Sequence, residues 1–375
     1  MSDVRPQWRS PPERSAGNST GRARFRALER WGWGSCGYFG GLVSRSMERE
    51  PGLNPMMHLR RAIAAVSQPV APTDPARPRT AFVLSGGGNQ GVAQIGMLRA
   101  LIERDIIPDV VVGCSAGALN GAALCYAPNL TGIARLGAVW SELTSNDVFP
   151  GGKLSRAWNV VRRGTHLFPN DGLAQVIDRA TPARSFSDLA IPLRVIAADL
   201  DTGEEVVFCR GPLAPALLAS AALPGVFPVI RHDGRRLVDG GVVDSVPLWH
   251  ALCGPVDRVF VLNVSAGVTD RPMRSPLDVV MTSFAHSRNM RYELDRRYAS
   301  DQIEIIEMPR PLDPRELFDF SGASHLIECA YELCAPALDE YLAGRLVSTP
   351  EDSVGERKMR IRPRKRAVKH STPVG

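Results

Sequence analysis

Two apolar segments of the chain each run straight into a glycine-rich turn that is followed by a helical pattern. Residues 81–85 lead into residues 86–91, and residues 110–112 lead into residues 113–117. Short β-branched and apolar runs of this length are typical of buried strands. The order strand, helix, strand, helix predicts parallel strands joined by a crossover. This repeated unit places the chain in the α/β class.

The remainder of the chain continues the alternation of strands and helices. Further strands are predicted at residues 193–198, 205–208, 235–238, 258–264 and 302–306, and further helices at residues 213–222, 277–298 and 324–342. We expect one α/β domain over residues 79–345. A flexible arm (1–78), rich in Pro, Gly, Ser and Arg, precedes it, and a disordered basic tail (346–375) follows it.

Charge and cysteine usage limit the classes of function. The formal net charge of +6 comes from the two ends of the chain, because residues 80–356 carry more acidic than basic side chains. An acidic central domain argues against nucleic acid as a partner. The 7 cysteines are odd in number and include no C-x-x-C pair, which argues against a disulfide framework or a zinc site. We expect a reducing, cytoplasmic location.

The second glycine-rich turn has the form G-x-S-x-G, with Ser115 between Gly113 and Gly117. A nucleophilic serine has to project from a sharp strand-to-helix turn, and flanking glycines remove side chains that would clash there. A helix N-terminus also directs backbone N–H groups at a nearby anion. The pattern therefore indicates that Ser115 is a nucleophile. The alternative is a plain turn in which Ser115 caps the helix.

The first glycine-rich turn suits the stabilisation of an oxyanion. Gly86, Gly87, Gly88 and Gly91 offer backbone N–H groups, and adjacent parallel strands would place them beside Ser115. The spacing also matches the dinucleotide-binding pattern G-x-G-x-x-G. That site needs an acidic residue at the end of the next strand, where this chain has Gly-Cys-Ser. The sequence thus favours an oxyanion loop, and we expect no cofactor and no metal.

A third motif is Asp239 followed by Gly240 and Gly241. A serine nucleophile needs a group that takes its proton, and an aspartate before glycines can approach another strand end closely. Taken alone, however, Asp-Gly is most often a hairpin turn.

Together, these three motifs resemble the patatin-like phospholipase family, in which a glycine-rich oxyanion loop, G-x-S-x-G and D-G-[GA] follow in this order. The similarity extends from about residue 80 to residue 342 and includes the stretches 198–203 and 220–228. The resemblance implies a three-layer α/β/α sandwich with a mostly parallel central sheet. It also implies a Ser–Asp dyad without histidine, with Ser115 as nucleophile and Asp239 as base, and hydrolysis of phospholipids or other lipid esters.

One position departs from the family. Gln90 stands where the family usually has Arg or Lys, and a neutral amide gives weaker stabilisation of an anion than a cation does. This departure leaves open a second hypothesis, a catalytically weak patatin-fold protein that binds lipid or a partner.

Order along the chain also permits a conventional triad in which His250, His286 or His325 serves as base. In such enzymes the oxyanion glycines lie much further ahead of the nucleophile, which favours the dyad. Cys114, beside the nucleophile, is interpreted as a small apolar residue rather than a reactive thiol.

Contact with membranes is expected to be peripheral. The most apolar stretch, residues 213–230, is interrupted by prolines and is interpreted as core. The basic ends are either solvated arms or contacts with anionic lipid of the inner membrane, and the aromatic segment 31–41 suits a lipid interface. Residues 145–185, which include Trp158, Leu167 and Phe168, form either a mobile cap over an acyl site or an ordinary helical insertion.

Overall fold

The computed structural model describes residues 77–149, 165–265, 276–299, 303–311 and 319–344. Its strands are β1 (Thr80–Leu84), β2 (Val110–Cys114), β3 (Leu193–Asp199), β4 (Glu205–Phe208), β5 (Ile230–His232), β6 (Arg235–Asp239), β7 (Arg258–Leu262) and β8 (Glu304–Glu307). Its helices are α1 (Ala93–Ile102), α2 (Ala116–Tyr126), α3 (Leu130–Glu142), α4 (Ser145–Val148), α5 (Asp171–Ala180), α6 (Leu213–Ser220), α7 (Leu248–Leu252), α8 (Pro276–Arg297) and α9 (Ala323–Leu342).

The strands form one mixed sheet with a parallel centre. Strand β1 pairs in parallel with β2 and β7, β2 pairs in parallel with β3, and β7 pairs in parallel with β8. Strands β4 and β6 both pair antiparallel with β3, and β5 pairs antiparallel with β6. The predicted α/β fold with a mostly parallel sheet is confirmed.

Two strands share one side of β3 and meet end to end there. Strand β2 pairs with the first part of β3 and ends where Cys114 lies opposite Ile196. Strand β6 runs the other way along the same side and ends where Asp239 lies opposite Ala197. Strand β4 occupies the other side of β3 at both positions. The carboxyl ends of β2 and β6 therefore face each other across one step of the sheet.

Both faces of the sheet are covered by helices, which gives three layers. Successive side chains of a strand point to opposite faces, so Phe82 and Leu84 lie in a large core with α1, α2, α3, α5, α6 and α9. Ala81 and Val83 lie in a smaller core with α7 and with Tyr292 of α8. All five residues of β1 are buried, as expected for a central parallel strand.

The structure contains an Asp-Gly hairpin, but at Asp233 and Gly234 rather than at Asp239. Strand β5, which the sequence did not predict, joins β6 through Asp233 and Gly234, whose φ angles of 47° and 76° are those of a tight hairpin turn. After Asp239 the chain instead enters a short 3-10 turn, Gly240–Val242. Helix α7 was also not predicted, because five residues are too few for a periodic pattern.

Several predictions fall outside the described residues. These include the arm up to residue 76, with its aromatic segment 31–41, the tail from residue 345, and the central part of the candidate cap, residues 150–164. The described flanks of that cap belong to the core, since Phe168 is buried and its ring packs against Phe149 at a tilt of 54°. None of the helices in the described ranges is both long and apolar enough to cross a membrane.

Helices α1 and α9 pack closely at Gly96, which gives a stability test. A Cβ at Gly96 would lie 2.1 Å from the Ile327 carbonyl oxygen, and that backbone atom cannot move cheaply. We expect Gly96→Ala to lower the free energy of unfolding by about 3 kcal/mol, measured by urea denaturation. In Gly137→Ala of α3 the new methyl would meet ordinary contacts at 3.5 Å, so this control should be neutral or about 1 kcal/mol more stable. Equal losses in both variants would contradict the close helix contact.

Candidate active site

Ser115 stands on a sharp turn between β2 and α2. Its φ of 53° and ψ of −125° place an L-residue in a backbone region that costs about 1–3 kcal/mol. A Cβ at Gly113 would lie 2.7 Å from the Gly117 carbonyl oxygen, and one at Gly117 would lie 2.2 Å from the Leu84 carbonyl oxygen. The glycines of the motif are therefore required by backbone packing on both sides of the serine.

The Ser115 hydroxyl donates a hydrogen bond to Asp239. The distance from Ser115 Oγ to Asp239 Oδ2 is 2.6 Å. The other carboxylate oxygen, Oδ1, accepts the Gly241 N–H at 2.7 Å and lies 3.9 Å from Cys114 Sγ. These contacts follow from the meeting of β2 and β6, because Ser115 and Asp239 stand at the facing strand ends. The structure thus brings together the two residues that the sequence nominated.

Asp239 is only 5% exposed, and this burial is the largest influence on the pKa of its carboxyl group. Loss of hydration raises its pKa above the ordinary value for aspartate, although the hydrogen bonds from Ser115 and Gly241 and the charge of Arg288 act in the opposite direction. Arg288 belongs to α8, and its Nη1 lies 3.4 Å from the position of a Gly241 Cβ. A guanidinium that the sequence motifs did not reveal therefore lies near the dyad.

Cys114 remains a thiol in this environment. Burial and then the nearby carboxylates of Asp239 and Asp244 raise its pKa well above the usual value. A protonated, fully buried thiol is a poor nucleophile. This agrees with its interpretation as a small apolar residue.

The four glycines of the first turn have different roles. The Gly86 N–H donates to the Ser245 carbonyl oxygen at 2.9 Å, and it is therefore already engaged. Gly88 has a φ of 58°, which favours glycine, and a Cβ at Gly87 would lie 2.7 Å from Val264 Cγ2. Neither the Gly87 nor the Gly88 N–H donates a hydrogen bond to another residue of the described chain. Gly91 lies in the short 3-10 turn that follows.

The buried side-chain amides of Asn120 and Gln94 hold this turn in place. Asn120 of α2 donates to the Gly91 carbonyl oxygen at 2.9 Å and to Gln94 at 2.8 Å, and it accepts the Trp140 indole N–H at 2.8 Å. Gln94 in turn donates to the carbonyl oxygens of Ser85 and Leu262. A Cβ at Gly91 would lie 2.7 Å from the Ala116 Cβ, so the loop packs directly on the start of α2.

Two further serines hold the site, and sequence motifs gave no role for either. Ser220 accepts the Ser115 N–H at 2.9 Å and donates to the Ile196 carbonyl oxygen at 2.6 Å. Ser245 contributes the carbonyl oxygen that holds Gly86. Ser220 opens one of the stretches that carried the family resemblance, which is the only sequence signal that pointed to it.

Gln90 lies beside a cation from a distant segment. It lines a small cavity with Arg310, Val264 and Leu326. Arg310 is half-buried, and burial lowers its pKa, opposed by the charge of Glu307. The positive charge that Gln90 lacks is thus present nearby on another part of the chain.

None of the three candidate histidines contacts the dyad within the described ranges. His250 Nε2 bonds Glu205 at 2.8 Å, His325 contacts Cys329 of its own helix, and His286 is exposed on α8. The arrangement is therefore a direct serine–carboxylate pair. A group with metal-binding donors, Glu205, Asp244 and His250, lies on the side of the sheet that carries α7 and α8.

The link through Ser220 gives a second stability test. Ser220→Ala would leave two buried backbone groups, the Ser115 N–H and the Ile196 carbonyl, without their partner. The expected loss in free energy of unfolding is about 1–3 kcal/mol, measured by urea denaturation. Ser187→Ala, which removes a hydroxyl from an exposed residue, should change it by less than about 0.5 kcal/mol. Indistinguishable values for the two variants would contradict the assigned role of Ser220.

Comparison with known proteins adds an independent line of evidence. Residues 82–252 match the family model described as patatin-like phospholipase. An NTE family protein of Mycobacterium bovis is 34% identical over 46% of this chain and 45% of its own length. Patatin-like phospholipase domain-containing protein 7 of rat is 31% identical over 44% of this chain and 12% of its own length. The chain thus spans less than half of these relatives.

Two solved structures show distant similarity. The crystal structure of VipD from Legionella pneumophila has 14% identity, a TM-score of 0.38, and coverage of 70% of this chain and 67% of that chain. Human GIVD cytosolic phospholipase A2 in complex with methyl γ-linolenyl fluorophosphonate has 11% identity, a TM-score of 0.38, and coverage of 86% and 64%.

The matched residues 82–252 run from β1 to the end of α7 and contain both glycine-rich turns, Ser115 and Asp239. This part of the chain is similar to patatin-like phospholipases.

Proposed function

We propose that the protein is a serine lipid acyl hydrolase that uses Ser115 as nucleophile and Asp239 as base. The observation that carries this proposal is the 2.6 Å hydrogen bond from Ser115 Oγ to Asp239 Oδ2 on a strained turn. The match of residues 82–252 to the patatin-like phospholipase family model supports hydrolysis of lipid esters as the reaction class.

In the acylation step, Ser115 Oγ attacks the ester carbonyl carbon while its proton passes to Asp239. The carbonyl oxygen becomes an oxyanion, and the N–H groups of Gly87 and Gly88 are the donors proposed to hold it. Collapse of this intermediate breaks the bond to the alcohol, which leaves with the proton from Asp239. The products of this step are an acyl-enzyme and a free alcohol or lysolipid.

In the deacylation step, water takes the place of the alcohol. Asp239 accepts a proton from the water as its oxygen attacks the acyl carbon, and it returns that proton to Ser115 Oγ when the fatty acid leaves. One carboxylate thus serves both half-reactions. A base is most effective when its pKa lies nearer the working pH than that of an exposed aspartate, and burial shifts Asp239 in that direction.

We also propose that the protein reaches its substrate by binding at a lipid surface. The basic residues of the two chain ends would attract an anionic surface, each contributing about 1 kcal/mol when it is near that surface.

Labelling with a fluorophosphonate probe tests the dyad. We expect Ser115→Ala to abolish labelling, and Asp239→Asn to slow labelling and ester hydrolysis by about 10²–10⁴-fold, the range for loss of a general base. Product analysis on a mixed-lipid extract, compared between the native protein and Ser115→Ala, then identifies the lipid class.

His286→Ala and His325→Ala are the matched controls, and both should retain labelling. Loss of labelling in either control, with retention in Asp239→Asn, would favour a histidine base. A native protein that binds lipid vesicles without being labelled would support the lipid- or partner-binding alternative that Gln90 suggested.

Arg288 makes the pH dependence of the reaction predictable. The charged and titratable groups that face Asp239 are Arg288 from α8 and Cys114 from β2, and Arg288 favours the ionised carboxylate. Arg288→Gln should therefore raise the pKa of Asp239 and move the acid limb of the kcat/KM profile to higher pH.

Arg297→Gln removes the same charge from an exposed position on the same helix and should leave that limb in place. A profile for Arg288→Gln that coincides with the native one would show that Arg288 does not influence the base.

A further inference from the structure

A second group of ionisable side chains lies apart from the dyad, on the side of the sheet covered by α7 and α8. It contains Glu205 at the start of β4, Asp244 in the loop after β6, and His250 in α7. One donor atom from each residue lies within 4.8 Å of the other two. The proposed hydrolysis uses none of these residues.

Two of the three donors are already held in place by other side chains. His250 Nε2 lies 2.8 Å from Glu205 Oε2, while Glu205 Oε1 pairs with Arg291 at 3.1 Å. The His250 carbonyl oxygen accepts a hydrogen bond from the buried Arg194. Arg291 also pairs with Asp295 at 3.1 Å. Partners of this kind orient the ligands of metal sites and leave one carboxylate oxygen directed at the ion.

The third donor is a buried carboxylate oxygen with no hydrogen-bond partner. Asp244 is 1% exposed, and its Oδ2 is unpaired within the described ranges. An unpaired carboxylate in the interior is costly, and it is normally compensated by a proton, a cationic side chain or a metal ion. Arg291, whose charge acts on Asp244, is already shared between Glu205 and Asp295.

The charge of the group is unbalanced in the direction that favours a cation. Glu205, Asp244 and Asp295 supply three carboxyl groups, whereas Arg291 pairs with Glu205 and Asp295 and the Arg194 guanidinium contacts the His250 backbone carbonyl. A divalent ion would neutralise the excess negative charge.

The chemical types of the three donor atoms indicate which metal ion the group would bind. One imidazole nitrogen and two carboxylate oxygens suit zinc and related transition metals, whereas calcium and magnesium prefer oxygen donors alone. Ligand atoms of a tetrahedral zinc site lie about 3.3 Å apart. Glu205 Oε2 and His250 Nε2, now 2.8 Å apart, would separate by about 0.5 Å to reach this spacing, the Asp244 carboxylate would complete the set of three, and water would fill the remaining position.

We propose that Glu205, Asp244 and His250 bind one zinc-class divalent ion, with Arg291 and Arg194 as supporting residues. The proposed ion site lies close in sequence to Asp239. Asp244 follows Asp239 by five residues, and its neighbour Ser245 holds Gly86 of the glycine-rich loop. An ion on Asp244 would therefore stabilise the loop that joins the two halves of the active site. The proposal stands independently of the proposed hydrolysis.

The test uses the full-length protein and zinc itself. After removal of bound metal with a chelator and titration with Zn²⁺, we expect about one ion per chain by calorimetry and elemental analysis, with a rise in melting temperature. Co²⁺ in the same site should give visible ligand-field bands of nitrogen and oxygen ligands without a thiolate charge-transfer band. Ca²⁺ should not compete at equal concentration.

Adjacent carboxylates provide a matched pair of variants. Glu205→Gln and His250→Gln should each weaken Zn²⁺ binding at least about tenfold and remove the rise in melting temperature. Glu204→Gln changes the neighbouring carboxylate, which lies near Arg235 instead, and should bind as the native protein does. The melting temperature of each metal-free variant shows whether it is folded.

Three results would overturn the proposal. One is a folded native protein that binds no zinc after titration. Another is binding that survives both Glu205→Gln and His250→Gln. The third is a thiolate band with Co²⁺, which would move the site to cysteine.

Discussion

The end-to-end meeting of β2 and β6 beside β3 is the constraint on which the active site depends. Ser115 follows the end of parallel strand β2, and Asp239 is the last residue of antiparallel strand β6. The two strand ends lie opposite consecutive residues of β3. A serine and an aspartate separated by more than a hundred residues thereby come within 2.6 Å without an intervening histidine. A one-residue change in the register of β6 would turn Asp239 to the other face of the sheet. The pairing of β6 with β3 therefore determines the chemistry as much as the residues do.

Several elements hold this buried pair in place. The strained turn at Ser115 costs about 1–3 kcal/mol, and the bond from its N–H to Ser220 ties the turn to β3 and α6. The carboxylate of Asp239 loses hydration, which the Gly241 N–H and the charge of Arg288 partly offset. Ser245 then connects the segment after Asp239 to Gly86. Ser115, Asp239 and the glycine-rich loop are thus held by hydrogen bonds that the short segment from Asp239 to Ser245 connects.

The parts of this arrangement that have a local signature were predictable from the sequence. Buried β-branched runs predicted β1, β2 and β3, and the G-x-S-x-G turn predicted Ser115 at a helix start. Asp239 could be nominated only through the family resemblance, because an Asp-Gly pair more often forms a hairpin, as Asp233 and Gly234 do here. The contacts of Arg288, Ser220 and Ser245 depend on tertiary packing between distant segments, which residue spacing does not encode. The unpaired carboxylate of Asp244 became visible only once its burial was known, and an expectation of no metal had rested largely on cysteine spacing.

The central claim is that one hydroxyl and one carboxylate act together beneath the N–H groups of the glycine-rich loop. A crystal structure of the protein after reaction with a fluorophosphonate tests this claim most directly. The account predicts a covalent phosphonate on Ser115 Oγ, with the Asp239 carboxylate beside it and a phosphonyl oxygen within hydrogen-bonding distance of the Gly87 and Gly88 N–H groups. An adduct on another residue, or a phosphonyl oxygen directed away from that loop with Asp239 remote from Ser115, would contradict it.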